Sequence, residues 1–134
     1  MIGASLCLAM AIYYEAGTEK EYDAGIAVAE VILNRVADPR FPDNVCGVIK
    51  EDKGPKAYDC QFSFYCDGKP EKPYQGQNWR RAKEQAADAL NGFTLGHNAL
   101  FYHAYYASPV WRHAMRPVGR IGSHIFYTDR KEEN

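Results

Sequence analysis

The strongest constraint on the fold is an apolar run in the first third of the chain, IAVAEVILNRV at residues 26–36. Its alanines and branched aliphatic residues leave little polar surface on any side of a helix, so the run predicts a helix buried at the centre of the domain. Before it, Thr18 and Glu21 have the spacing of a capping box and predict where the helix begins. The helix is predicted to end near Val36, before two residue-proline pairs that disfavour helical backbone.

Two glutamates stand within otherwise apolar helical sequence. Glu30 interrupts the central run, and because a carboxylate is not buried unpaired, a structural partner such as an arginine or a backbone amide is favoured over catalysis. Glu15 stands in the last turn of an earlier predicted helix, residues 5–17, which Gly17 would end in the left-handed conformation. Apolar surroundings and the helix dipole both disfavour ionised Glu15. Such a residue suits general acid catalysis, and a solvent-facing helix end is the alternative.

The rest of the chain predicts shorter elements. Helices are expected over residues 45–50 and 79–91, the second capped by Gly92, and strands over residues 60–66, 99–103 and 124–127. The predicted fold class is therefore α+β, mainly helical with a small antiparallel sheet. In the first strand Gln61 and Ser63 share a polar face, which is either a solvated edge or the wall of a substrate cleft.

Length and charge narrow the possible functions. The chain has 134 residues and a net charge of −1, which predicts one domain and favours neither a nucleic-acid partner nor a polybasic membrane anchor. No apolar run approaches the roughly 18 residues of a spanning helix. The N-terminus has no basic leader, so we expect a chain made without an export signal or a trimmed catalytic domain. The histidines lack metal-ligand spacing and no C-x-x-C pair occurs, so no metal or other cofactor is expected.

Six phrases, taken in order, resemble the SleB/CwlJ-type cell wall hydrolases, the family of spore cortex-lytic enzymes and related bacterial and phage lysins. They are AIYYEAG at 11–17, IAVAEVILNRV at 26–36, PRFPDNVCGVI at 39–49, CQFSFYCDG at 60–68, FYHAYYASPVW at 101–111 and RIGSHIFYTD at 120–129. The resemblance implies a lysozyme-like fold whose small sheet lines the cleft, with peptidoglycan glycan strands as substrate. It also implies cleavage between N-acetylmuramic acid and N-acetylglucosamine, by lytic transglycosylation or as a muramidase.

The resemblance also implies a set of site residues. The glutamate of the family's YEA phrase falls on Glu15, the implied catalytic acid, and one acid suffices if the muramyl C6 hydroxyl attacks internally and no second carboxylate activates water. The implied or expected substrate-binding residues are Gln61 and Ser63 of the QFS strand, Tyr102 and His103 of the YHA phrase, Trp111 of the SP-x-W loop, and Tyr14 beside the acid. His103 could equally be a hydrogen-bonded structural histidine, and Trp111 could hold its loop in place instead of stacking on a sugar.

The chain departs from the family pattern around the YHA phrase. Tyr105 stands where many relatives have an acidic residue, and Leu100 and Phe101 replace a threonine and a histidine, which affects subsite details more than the reaction. The start at Met1 lacks the export signal and wall-binding repeats of some family members, which favours a phage or prophage endolysin, made in the host cytoplasm and acting on the cell wall, or a clipped domain. We expect a monomer. A further expectation is a disulfide that staples a loop, joining Cys46 to Cys60 or Cys66.

Two other functions compete with this interpretation. Asp59 and Cys60, with His103 downstream, resemble the start of NlpC/P60-type cysteine peptidases, in which a thiolate attacks peptidoglycan stem peptides. The phrase lacks the Ser-Gly that follows that cysteine. A noncatalytic wall-binding module that stacks aromatic side chains on glycan is the third possibility, and the apolar setting of Glu15 argues against it.

Overall fold

The computed structural model describes residues 3–51 and 76–129, in which helices precede a small sheet. The elements are α1 (Ala4–Ala16), α2 (Tyr22–Val36), α3 (Val45–Lys50), α4 (Gly76–Leu90), β1 (Phe101–Ala104), a 3₁₀ helix (Val110–Ala114), β2 (Arg116–Ile121) and β3 (His124–Thr128). The predicted α+β class is confirmed. The predicted strand over residues 60–66, with Gln61 and Ser63, lies outside the described residues.

The core is built where α1, α2 and α4 pack against one another, with α3 against α1 and α2. Leu8 and Ile12 of α1 are fully buried, as are Ile26 and Ile32 of α2. Burying one such side chain contributes about 1.5–3 kcal/mol to folding, so the apolar run of α2 acts as the centre of the domain, as predicted. Within the described part of the chain, no helix is long and apolar enough to cross a membrane.

Of three helix ends predicted from the sequence, one is confirmed and two are wrong. After α4, the amide of Gly92 donates to Ala89 and that of Phe93 to Asp88, a Schellman motif with Gly92 at φ 97°, as predicted. Gly17 instead keeps a right-handed φ of −65°, so the expected left-handed stop is wrong. The predicted capping box is also wrong, because α2 begins one residue after Glu21, which occupies the N-cap position without a side-chain bond.

The three strands form an antiparallel sheet in the order β1-β3-β2. Tyr102 pairs with Phe126 and His103 with Ile125, and a bulge shifts the register of β2 between Pro117 and Gly119. The sequence does not predict β2, because its proline, glycine and arginines lack the alternation typical of a strand. Since successive side chains of a strand point to opposite faces, Tyr102 and His103 belong to different sides of the sheet.

A disulfide joins Cys7 of α1 to Cys46 of α3, with the two Cα atoms 5.4 Å apart. The predicted pairing of Cys46 with Cys60 or Cys66 is therefore wrong, and those two cysteines lie outside the described residues. The reason is helix packing: α3 lies against α1, which brings the buried Cys7 to Cys46 across 39 residues of sequence. Such a contact cannot be read from the spacing of four cysteines.

We expect loss of this bridge to destabilise the domain without unfolding it. Replacing both Cys7 and Cys46 by serine releases a closed loop of 39 residues and should lower the free energy of unfolding by about 2–4 kcal/mol. Urea titration followed by circular dichroism would measure the change. Either single serine variant should lose a similar amount, whereas an unchanged midpoint in the double variant would contradict the bridge.

Candidate active site

Glu15 and Tyr102 meet where the last turn of α1 faces the first strand of the sheet. The hydroxyl of Tyr102 donates a hydrogen bond of 2.5 Å to Oε1 of Glu15. The second carboxylate oxygen, Oε2, forms no hydrogen bond within the described residues. One oxygen of the carboxyl group is thus fixed by the sheet while the other remains available, an arrangement that a proton donor requires.

Burial controls the protonation of this pair. Desolvation raises the pKa of Glu15 above its ordinary value of 4.5, and the hydrogen bond from Tyr102 partly offsets the rise. The pKa of Tyr102 is also raised, first by its own burial and then by the charge of Glu15, so the phenol keeps its proton and remains a donor. The pKa of Glu15 is thus shifted in the direction that its apolar setting predicts from the sequence.

His124 and Phe126 of β3 complete the wall behind Tyr102. The ring of Tyr102 meets His124 edge to face at 4.9 Å and lies 5.5 Å from Phe126, measured between ring centroids. Burial lowers the pKa of His124, which keeps its imidazole neutral near neutral pH. A neutral His124 matters because a cation so close to the Glu15–Tyr102 pair would favour the carboxylate and work against the raised pKa of Glu15.

Polar side chains of α2 hold the chain that enters β1 and so position Tyr102. Asn34 donates to the carbonyl oxygens of His97 (3.2 Å) and Ala99 (3.0 Å). Nε of Arg35 donates to the carbonyl oxygen of Leu100 at 2.7 Å. These bonds anchor the backbone up to two residues before Tyr102.

Arg35 is almost fully buried, and aromatic rings flank its charge. Its guanidinium carbon lies 5.1 Å from the ring centroid of Phe41 and 5.4 Å from that of Phe101. Burial lowers the pKa of Arg35 to about 10, so the side chain is still a cation near neutral pH. Such cation–π contacts partly replace the water that the guanidinium loses.

The predicted structural role of Glu30 is confirmed. Its Oε1 accepts a hydrogen bond from the backbone amide of Leu95 at 2.7 Å. Nε2 of His97 lies 3.7 Å from the same oxygen and donates to the carbonyl of Ala27 at 3.1 Å. Glu30 therefore ties the segment before β1 to the central helix and lies outside the candidate site.

His103 and Trp111 lie together on the face of the sheet opposite Tyr102. Nδ1 of His103 donates to the carbonyl of Ala104 at 2.7 Å, which leaves Nε2 to accept from the hydroxyl of Tyr127 at 3.0 Å. Trp111 meets His103 edge to face at 5.6 Å and Tyr127 at 5.4 Å. Tyr102 and His103, which are adjacent in the YHA phrase, therefore lie in two different environments.

Tyr14, beside Glu15 on α1, is 40% exposed and packs edge to face on Tyr13.

A cavity of about 330 Å³ opens beside the loop that follows Glu15, and the sequence analysis did not predict it. It is lined by Thr18, Glu19, Lys20, Glu21, Gly122 and Ser123. The Glu19 carboxylate accepts from the amide of Ser123 at 2.7 Å and so joins the α1–α2 loop to the β2–β3 turn. Gly122 has φ +60°, and a Cβ there would collide with Glu19. That glycine, two residues before the predicted strand over residues 124–127, is the signal that could have located the contact. Among the described residues, no cluster of three or more His, Cys, Asp or Glu could hold a metal ion.

Comparison with known proteins identifies the family. A family model described as Cell Wall Hydrolase matches residues 19–127, most of the chain. The chain belongs to the cell wall hydrolase family. The matched range begins after Glu15, so the role of that residue rests on its own geometry.

Relatives of this cell wall hydrolase domain include spore cortex-lytic enzymes. The chain is 39% identical to that of Bacillus subtilis over 120 residues and 38% identical to that of Oceanobacillus iheyensis over 124. Each match covers 89% of this chain but only 35% and 39% of the relative, so the chain spans little more than a third of those proteins.

Two solved structures resemble the whole described fold of this hydrolase domain. The catalytic domain of the Bacillus cereus SleB protein superposes with a TM-score of 0.73 at 34% identity, covering 93% of this chain and 89% of the other. The catalytic domain of the germination-specific lytic transglycosylase SleB of Bacillus anthracis gives 0.70 at 32% identity, with 93% of both chains covered. The predicted lysozyme-like fold and family resemblance are confirmed, and nothing in these matches supports the cysteine peptidase alternative.

The raised pKa of Glu15 predicts how stability depends on pH in this hydrolase domain. Because the folded state disfavours ionised Glu15, the residue costs no stability below its ordinary pKa of 4.5 and an increasing amount as pH rises through its folded pKa. Glu15→Gln removes that cost while keeping an oxygen for Tyr102. We expect the melting temperature of the variant to rise relative to wild type between pH 4 and pH 8. A difference that stays constant over this range would show that Glu15 ionises normally.

Proposed function

We propose that this chain degrades peptidoglycan by cleaving the bond between N-acetylmuramic acid and N-acetylglucosamine, acting as a lytic transglycosylase with Glu15 as the catalytic acid. The observation that carries the proposal is the half-buried carboxyl group of Glu15, whose Oε1 accepts a hydrogen bond from Tyr102 and whose pKa is raised by desolvation. The relatives, a spore cortex-lytic enzyme and a lytic transglycosylase, support the same reaction, and the family description, Cell Wall Hydrolase, supports the cell wall as the place of action.

In the proposed mechanism one carboxyl group acts twice. Protonated Glu15 gives its proton from Oε2 to the glycosidic oxygen, the bond from that oxygen to the muramyl anomeric carbon breaks, and an oxocarbenium-like centre forms. The C6 hydroxyl oxygen of the same muramyl residue then bonds to that carbon, and its proton passes to the Glu15 carboxylate. Tyr102 keeps donating to Oε1 throughout, so it acts as a positioning residue that keeps Oε2 aimed at the reacting oxygen.

The remaining site residues take supporting roles in this proposal. Tyr14 is exposed beside Glu15 and offers an aromatic face to a sugar ring, and Gln61 and Ser63 remain proposed substrate-binding residues. His103 and Trp111 would act from the opposite face of the sheet, by shaping β1 or by binding wall polymer there. An endolysin origin and a monomeric state remain predictions from the sequence.

Hydrolysis by water, as in a muramidase, is the second candidate. Glu19 is a carboxylate four residues after Glu15, on the wall of the neighbouring cavity. A second carboxylate is what the activation of water requires. Glu19→Gln tests this role with little structural disturbance, because the amide oxygen can still accept from the backbone amide of Ser123.

Mass spectrometry of the products from purified peptidoglycan would test both candidates. Wild type should release muropeptides with anhydromuramyl ends, Glu15→Gln should lower the rate at least about 100-fold, and Glu19→Gln should release the same anhydro products. Reducing muramyl ends that disappear in Glu19→Gln would establish the muramidase instead. Free stem peptides, or full activity of Glu15→Gln, would overturn the proposal.

The pH dependence of the reaction should move when Tyr102 loses its hydroxyl. The hydrogen bond from Tyr102 stabilises the charged form of Glu15, so Tyr102→Phe should raise the pKa of Glu15 further. Because the acid must be protonated to act, we expect the alkaline limb of the kcat/KM profile to shift to higher pH as the maximal rate falls. Tyr14→Phe is the matched control and should leave the limb in place. A shift to lower pH in Tyr102→Phe would contradict this role.

A further inference from the structure

The sheet has a second face, directed away from Glu15, that the proposed reaction does not use. His103, Ile125 and Arg120 lie in register across the three strands on this side. Around them are aromatic side chains that reach solvent: Tyr105 is 51% exposed, and Trp111 is 36% exposed. We call the surface formed by Tyr105, Trp111 and Arg120 the outer sheet face.

The stretch of chain that contains the sheet, residues 89–128, carries arginines and no acidic side chain. No aspartate or glutamate occurs between Asp88 and Asp129, whereas Arg112, Arg116 and Arg120 all do, although the whole chain has a net charge of −1. The acidic residues of the chain lie within residues 15–88 and 129–133, so the strands β1, β2 and β3 themselves carry arginines and no acidic side chain, while Glu19 reaches the sheet from the α1–α2 loop, at the amide of Ser123. Arginines grouped on strands without acidic side chains attract anionic groups.

Arg120 is prepared to bind a carboxylate. Its guanidinium carbon lies 4.3 Å from the ring centroid of Tyr105, and its Nε donates to the carbonyl oxygen of Gly122 at 3.0 Å. These two contacts fix the guanidinium group while its Nη1 and Nη2 atoms make no hydrogen bond to any described residue. A fixed pair of outward N–H donors matches the two oxygens of a carboxylate, and it loses less side-chain entropy on binding than a free arginine.

A second exposed tyrosine lies next to the ring that the Arg120 guanidinium contacts. Tyr106 is 80% exposed and meets Tyr105 edge to face at 5.4 Å. Flat, exposed tyrosine rings next to a guanidinium suit a ligand that combines apolar sugar faces with carboxylates. Peptidoglycan has both, because its muramyl residues carry short peptides with free carboxylates.

We propose that the outer sheet face is a second peptidoglycan-binding site, in which Arg120 binds carboxylates of the stem peptides. The site would hold the domain on the wall polymer while Glu15 acts on a glycan strand at the opposite side of the sheet. The inference rests on the proposed function for its choice of polymer, but binding is measured independently of cleavage.

Binding to insoluble peptidoglycan in a Glu15→Gln background tests the proposal, because that background does not digest its ligand. Adding Arg120→Gln should raise the dissociation constant about tenfold, the size expected for one charge-assisted contact. Arg120→Lys should recover part of the lost affinity, since lysine keeps the positive charge but lacks the paired N–H donors of a guanidinium group. Arg80→Gln is the matched control: it removes one exposed arginine from α4 and should change the constant less than twofold. Unchanged melting temperatures would confirm that the variants fold.

Chemical blocking identifies the ligand group. Peptidoglycan whose carboxylates are converted to methylamides should bind the Glu15→Gln protein about tenfold more weakly, and Arg120→Gln should then have no further effect. Equal losses in the Arg120 and Arg80 variants, a contrast that survives blocking, or no binding at all would overturn the inference. Failure of the proposed function would show separately, as wild type that releases no muropeptides from the same material.

Discussion

The structure depends on how the central helix satisfies the polar groups that it buries. A buried carboxylate or guanidinium without partners would cost several kcal/mol, and α2 buries both in Glu30 and Arg35 and half-buries the amide of Asn34. The Glu30 carboxylate, the Asn34 amide and Nε of Arg35 all hydrogen-bond to the backbone of residues 95–100, the segment that leads into β1. The requirement to pair these groups therefore fixes where the sheet begins. Because Tyr102 is the second residue of β1, the same bonds determine where its hydroxyl meets Glu15.

Much of this arrangement could be predicted from the sequence, because it follows from local pattern. Which residues neighbour one another in a helix accounts for the buried run of α2, the upward shift in the pKa of Glu15 and the structural role of Glu30. Features that depend on how distant elements pack were not predictable. The partner of Cys46 depends on α3 lying against α1, and β2 is a strand because β3 pairs with it, against the preference of its own residues. The start of α2 after Glu21 shows that a capping pattern can occur without its bonds.

The alternation of side chains along β1 divides residues that the family phrase groups together. Tyr102 faces the helices and Glu15, while His103, its neighbour, joins Trp111 and Tyr127 on the other side. A list of motif residues treats them as one site, but the geometry of a strand separates them by the thickness of the sheet. One short strand therefore borders both the proposed cleavage site and the proposed attachment surface, and substitutions at adjacent positions are expected to affect different steps.

The bulge in β2 has a consequence for how the molecules behave together. In the described part of the chain β2 is an edge strand, and such an edge offers unpaired backbone groups to strands of other molecules. Pro117 lacks an amide hydrogen, the bulge next to it disturbs the spacing of the neighbouring donors, and Arg116 and Arg120 add like charges. A second copy of the chain would meet an irregular, charged edge. Crowding on a polymer surface should therefore not lead to aggregation through this strand.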